Sequence, residues 1–203
     1  MGQPVSPADI TGLILAGGRG SRMNDSDKGL QLLDGRPLVQ HALERLRPQV
    51  GGVCISANRH LEQYRTLGVP VFGDDFPGYA GPLAGIHAGL AHCVTPWLAC
   101  VPCDSPALPF DLIVRLAGAV AQTGADLAFA AAGDGETPRD HPVFCLLRVA
   151  LLPRLQAYLE DGGRKLGAWH ATLNSTRVCF ADDEAFRNIN SLADLRHFEE
   201  SRL

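Results

Sequence analysis

No apolar run in this 203-residue sequence approaches the roughly 18–20 residues that a membrane-spanning helix needs. The first ten residues, Met1 to Ile10, lack the basic and apolar regions of a secretory leader. Pro4 and the absence of a basic patch speak against lipidation at Gly2. There is no surplus of positive charge. The formal net charge is −4, which excludes a general binder of nucleic acid or of an anionic membrane surface. Repeats and low-complexity tracts are missing. Cys100-Val101-Pro102-Cys103 is a C-x-x-C, but no second pair and no paired histidines accompany it, so neither a zinc site nor thioredoxin-like chemistry is supported. Most of the six cysteines (Cys54, Cys93, Cys100, Cys103, Cys145, Cys179) lie in apolar runs, where a thiol packs as a small hydrophobe. The expectation is a reduced chain in the cytoplasm.

What is there suits one compact α/β unit. Hydrophobic residues make up 46% of the chain, and short apolar runs alternate with helical patterns, which predicts βαβ units and a mostly parallel sheet. Strands are expected at 11–16, 52–56, 69–73, 97–102, 126–132, 143–148 and 177–181. Helices are expected from Pro37 to about Leu46, near 60, at 82–93, 111–121, 150–160 and 192–200. Asp34-Gly35 marks a turn. The polar stretch 133–141 is the candidate internal boundary, dividing a first half at about 10–132 from a second at about 133–203.

The stretch Ile14-Leu15-Ala16-Gly17-Gly18-Arg19-Gly20-Ser21-Arg22-Met23 empties a buried strand into glycines and arginines, and Lys28 follows. Glycines there let the backbone approach an anion, and successive amides can form a concave nest for it. Arg22 offers a fork and Lys28 a mobile point charge. Two phosphate motifs fail. The dinucleotide fingerprint would need glycine where Met23 stands, and a Walker loop would need Ser or Thr after the lysine, where Gly29 stands. Asp104 ends an apolar strand, at the edge where open α/β sheets bind ligands, and its carboxylate suits Mg²⁺.

The loop with Asp27-Lys28-Gly29-Leu30 resembles the nucleoside-triphosphate loop of nucleotidyltransferases, and within them it is most similar to the molybdenum cofactor guanylyltransferases. The same resemblance extends to Asn58-Arg59-His60, to Gly73-Asp74-Asp75 with Gly81-Pro82-Leu83-Ala84-Gly85, and to Val101-Pro102-Cys103-Asp104-Ser105-Pro106. It continues through Arg139-Asp140-His141-Pro142 and Asn188-Ile189-Asn190-Ser191, so it runs from about 11 to 198. It implies a Rossmann-like three-layer sandwich with a mixed, mostly parallel sheet, of the nucleotide-diphospho-sugar-transferase type.

The resemblance also implies an activity: transfer of GMP from GTP to molybdopterin cofactor, with release of pyrophosphate and with Mg²⁺ as the metal. It places the nucleotide on Leu15, Ala16, Gly17, Gly18, Lys28, Ser56, Asp74 and Asp104, with Asp104 also the metal ligand. Arg22, Lys28 and Asp104 would carry the catalysis. The pterin substrate would meet Arg139, Asp140, His141, Asn188 and Asn190, whose groups match its donors and acceptors. Ser56 stands where the family commonly has Asn, so Asn58 is a rival for that contact, as Asp75 is for Asp74. Transient contacts with cofactor-delivery proteins and molybdoenzyme chaperones are expected, and none with nucleic acid or membrane. A cytidylyltransferase acting on the same cofactor resembles Leu-Ala-Ala-Gly rather than Leu-Ala-Gly-Gly, so Gly17 favours guanine. A sugar-1-phosphate nucleotidyltransferase and a nucleotide-binding accessory protein without turnover stay open at this point.

Overall fold

A computed structural model describes residues 4–17, 27–74, 76, 81–133 and 138–200. The chain opens with β1 (Ile10–Leu15), then a hairpin of β2 (Leu32–Leu33) and β3 (Arg36–Pro37) that leads into α1 (Leu38–Leu46). Asp34 and Gly35 join the hairpin with φ of 50° and 72°, the doubly left-handed turn that a tight two-residue hairpin requires. Then follow β4 (Gly52–Ser56), α2 (Leu61–Arg65), β5 (Val71–Phe72), α3 (Pro82–His92), β6 (Trp97–Pro102) and α4 (Leu112–Thr123). The remainder is β7 (Leu127–Ala132), β8 (Arg139–Arg148), α5 (Leu152–Glu160), α6 (Leu166–His170), β9 (Ser175–Phe180) and α7 (Leu192–Glu200). No helix among the described residues is long and apolar enough to cross a membrane.

Seven of these strands form one sheet in the order β5-β4-β1-β6-β8-β7-β9. All neighbours are parallel except β8, which runs against both β6 and β7. Strands from both halves of the sequence therefore share one sheet. The two faces carry separate apolar layers. On one, Val39, Leu43 and Leu46 of α1 and Leu112, Leu116 and Val120 of α4 pack against Ile14, Ile55 and Val101. On the other, Leu83, Ile86 and Leu90 of α3, Leu155 and Leu159 of α5, and Trp169 of α6 cover Leu13, Leu98 and Leu147. Near-continuous apolar strands are what a parallel sheet buried on both faces demands.

Beyond the short strands β2 and β3, which flank a turn where only the turn is expected, β8 and α6 differ from the sequence reading. β8 begins at Arg139, not at 143, so Arg139-Asp140-His141-Pro142 is strand rather than loop. The register with β7 jumps between Phe129, opposite Cys145, and Ala130, opposite His141. Pro142 falls inside that bulge, where its missing N–H costs the ladder nothing. The short α6 had no counterpart in the sequence pattern.

The cysteines of the described residues are free thiols. Cys54, Leu13, Cys100 and Cys145 stand in one row across β4, β1, β6 and β8. Burial, with a smaller push from Cys93, raises the Cys54 thiol from 9.0 to about 12. The native state thus keeps a proton that the unfolded chain loses at lower pH, so stability falls as pH rises past about 9. The loss from this thiol approaches about 1.4 kcal/mol per pH unit until the native group itself titrates. Denaturant titrations at pH 8, 9.5 and 11 check this: Cys54→Ala should flatten the decline relative to the parent, and equal slopes would refute it.

Candidate functional site

The carboxyl ends of β1, β4, β5 and β6 are drawn together by main-chain bonds that run one residue past each strand. The Ala16 N–H donates to the Ser56 carbonyl at 2.8 Å, the Ala57 N–H to that of Phe72 at 2.9 Å, and the Cys103 N–H to that of Leu15 at 3.1 Å. Ala16, Gly17, Asn58, Asp74 and Asp104 consequently crowd one edge of the sheet, the edge at which open α/β sheets bind ligands.

Lys28 enters this edge on a short 3₁₀ turn, Lys28–Leu30, capped by the Asp27 carboxylate. Its Nζ donates to Asn190 Oδ1 at 2.6 Å and reaches Asp104 Oδ2 at 3.5 Å. Asp104 is only 7% exposed. Burial raises its carboxyl above the ordinary Asp range, and the Lys28 ammonium pulls it back down. The residues from Asn188 to Asn190 are tied to the same loop. Ser105 Oγ donates to Asn188 Oδ1 at 2.7 Å, and the Ile189 N–H donates to the Asp104 carbonyl at 2.8 Å. A lysine, a buried carboxylate and two asparagines thus form one network, although 162 positions separate Lys28 from Asn190.

Ser56 and Asn58 occupy different environments. Ser56 is 1% exposed, and a Cβ on Gly85 of α3 would lie 3.0 Å from its Oγ. It points under the helix, on the same face as Cys54 two residues earlier. Asn58 is exposed. Its Oδ1 accepts from the Asp74 N–H at 2.9 Å, and its Nδ2 would meet a Cβ on Gly17 at 3.2 Å. One amide therefore spans the loops after β1 and β5. Leu15 is half-buried at the end of β1 and Ala16 is 7% exposed. Gly18, Arg22 and Asp75 lie outside the described residues.

A polar cavity of about 320 Å³ adjoins this network. Arg139, His141, Asn188 and Asn190 line it together with Asp183, Glu184, Phe186, Arg187 and Asp194. His141 stacks on Phe186 with centroids 4.9 Å apart, and its Nε2 lies 2.9 Å from Asp183 Oδ1. Arg187 donates to Glu184 at 3.1 Å and lies 3.8 Å from Asp194. Asp140 is not among the lining residues. It alternates to the other face of β8 and forms a two-pronged pair with Arg177 of β9, at 2.9 and 3.0 Å. The sequence reading missed Asp183, Glu184, Arg187 and Asp194. They precede or follow a recognisable Asn-x-Asn, and no periodicity singled them out. Asn190 belongs to both sites, lining the cavity while accepting from Lys28.

Among the described residues no group of three or more His, Cys, Asp or Glu side chains could hold a metal ion.

The MobA-like NTP transferase domain matches residues 12–175. The chain belongs to that family. The molybdenum cofactor guanylyltransferase of Cupriavidus necator is 55% identical over 192 residues, covering 94% of this chain and 96% of that one. The protein of the same name from Ralstonia nicotianae is 53% identical over 203 residues, covering 98% of this chain and all of the other. Among solved structures, the molybdopterin-guanine dinucleotide biosynthesis protein A of Archaeoglobus fulgidus superposes with a TM-score of 0.74. That match covers 95% of this chain at 23% identity, a likeness of fold. The MobA-like family match ends at 175, so most of β9, α7 and the Asn188–Asn190 segment lie beyond it, while the Ralstonia alignment extends over them.

Proposed function

We infer that this protein transfers GMP from GTP to molybdopterin cofactor, forming the guanine dinucleotide and pyrophosphate. The observation that carries the reading is the shared Asn190. It links a lysine and carboxylate at the strand ends to a second, polar cavity, in a chain alignable nearly end to end with proteins named molybdenum cofactor guanylyltransferase. A terminal phosphate oxygen of the acceptor attacks the α-phosphorus of GTP. The bond from that phosphorus to the β-phosphate bridging oxygen breaks, and pyrophosphate leaves with the electron pair. The attacking oxygen is already anionic, so no strong base is needed, and catalysis rests on positioning and charge.

Nucleotide in the first half, about 10–132, and pterin in the second, about 133–203, is the arrangement these two sites support. Lys28 offsets charge on the transferring phosphates. Arg22 and the amides of Gly17 and Gly18 take the same role by resemblance. Asp104 fits Mg²⁺: a single buried carboxylate suits an ion that completes its shell with waters and substrate phosphates. When bound, Mg²⁺ would polarise the phosphoryl oxygens. Arg139 and Arg187 suit the acceptor's phosphate. The stacked His141 and Phe186, with Asn188, suit its planar ring system.

Two experiments test this. Protein with molybdopterin, Mg²⁺ and either GTP, CTP or ATP should release pyrophosphate with GTP. Silence with GTP overturns the reading, and release with CTP alone reassigns the base. Within it, the contact that the family gives to the Ser56 position passes here to Asn58. Asn58→Ala should raise the KM for GTP by up to about tenfold, the worth of one amide hydrogen bond with its network. Ser56→Ala should change it less than about twofold. The reverse order would return the contact to Ser56.

A further inference from the structure

Asp27 presents a second carboxylate beneath the phosphate edge, and nothing in the transfer chemistry uses it. It is 8% exposed. Both of its resolved bonds fall on one oxygen: the Tyr64 hydroxyl donates to Oδ1 at 2.6 Å, and the Gly29 N–H donates to Oδ1 at 3.1 Å. Tyr64 comes from α2 and is fully buried. Burial, then the neighbouring Cys103 and the bond to Asp27, push its phenol up, so it remains a donor. Removing a carboxylate from water costs free energy unless hydrogen bonds replace the lost hydration, and these two supply that replacement.

The pair also leaves no room for a side chain at Gly29. A Cβ on Gly29 would sit 2.5 Å from the Tyr64 Oη and 3.2 Å from Cys103 Sγ. Gly29 is thus wedged between α2 and the residue immediately before Asp104. Lys28 stands between the capping carboxylate and this wedge. Its main chain is flanked by the Asp27 cap on one side and the closely packed Gly29 on the other, and its flexible stem carries Nζ to Asp104 and Asn190. A long, rotamer-rich side chain anchored in this way loses less freedom when it binds an anion.

We propose that the buried Asp27–Tyr64 pair is a positioning device for Lys28, holding the lysine ready to receive nucleotide phosphates. The proposal rests on the reading that Lys28 grips those phosphates. A double-mutant cycle separates the two ideas. GTP is titrated with Mg²⁺ by calorimetry into the parent, Tyr64→Phe, Lys28→Met and the double variant, with a thermal melt for each. Tyr64→Phe should weaken GTP binding about tenfold when Lys28 is present, and less than about twofold in the Lys28→Met background. A general loss of packing cannot produce that disappearance. Asp27→Ala should match Tyr64→Phe, whereas Asp27→Asn, which keeps an acceptor for both donors, should stay within about threefold of the parent. The same factor in both lysine backgrounds overturns the positioning role, as does full affinity in both Tyr64→Phe and Asp27→Ala. If Lys28→Met alone binds GTP as the parent does, the phosphate reading of Lys28 fails instead, and the proposal falls with it.

Discussion

Asp104→Asn is expected to slow guanylyl transfer by at least about 10³-fold, because several kcal/mol of phosphoryl charge stabilisation depend on the ionised group. The fold should survive. The side chain keeps its shape, and the Asp104 carbonyl still accepts from the Ile189 N–H at 2.8 Å, so the loop to Asn188 and Asn190 stays attached. Burial already disfavours the charged carboxyl, and a neutral amide relieves that cost, so the melting temperature should hold or rise slightly. Single-turnover release of pyrophosphate against a thermal melt makes the comparison. A variant with full turnover would remove Asp104 from the phosphoryl chemistry, and one that fails to fold would show its charge to be structural.

Much of this arrangement is legible in the chain because parallel strands buried on both faces leave runs such as Trp97–Pro102, whose ends locate the residues after them. Asp104 and Lys28 could be named from such ends and from the spacing of the glycine loop. What stayed hidden depends on side-chain direction or distant pairing. The first four residues of β8 look like a loop because they are polar. Arg139, Asp140 and His141 pair with β7 but lie beyond the stretch of β8 that meets β6, so one of their sides is free to carry charge. Period-two alternation then sends Arg139 and His141 toward the cavity and Asp140 toward Arg177. The same alternation turns Ser56 under α3, an outcome that family correspondence by position does not convey. The bond from Tyr64 to Asp27 spans 37 positions, and no local pattern announces a buried phenol that meets a buried carboxylate.

Lys28→Met should lower kcat/KM for GTP by about 10²–10³-fold, the usual cost of removing one preorganised donor from developing charge. The loss should appear in both KM and kcat, since the ammonium would meet the triphosphate in the ground state and the departing pyrophosphate in the transition state. Stability should change little. The side chain of Lys28 is 30% exposed and 3.5 Å from Asp104, and the buried Asp104 carboxyl, once without its partner, can take up a proton instead of holding an uncompensated charge. The loop from Asn188 to Asn190 also keeps its bonds to Ser105 and Asp104. A melt within a few degrees of the parent, beside a large kinetic loss, would therefore assign the effect to charge at the phosphates. Lys28→Arg separates charge from shape. A planar fork cannot reproduce a point charge set between Asp104 and Asn190, so activity should recover only in part. Full recovery would mean that positive charge alone suffices at this position and that the geometry with Asn190 is incidental to transfer.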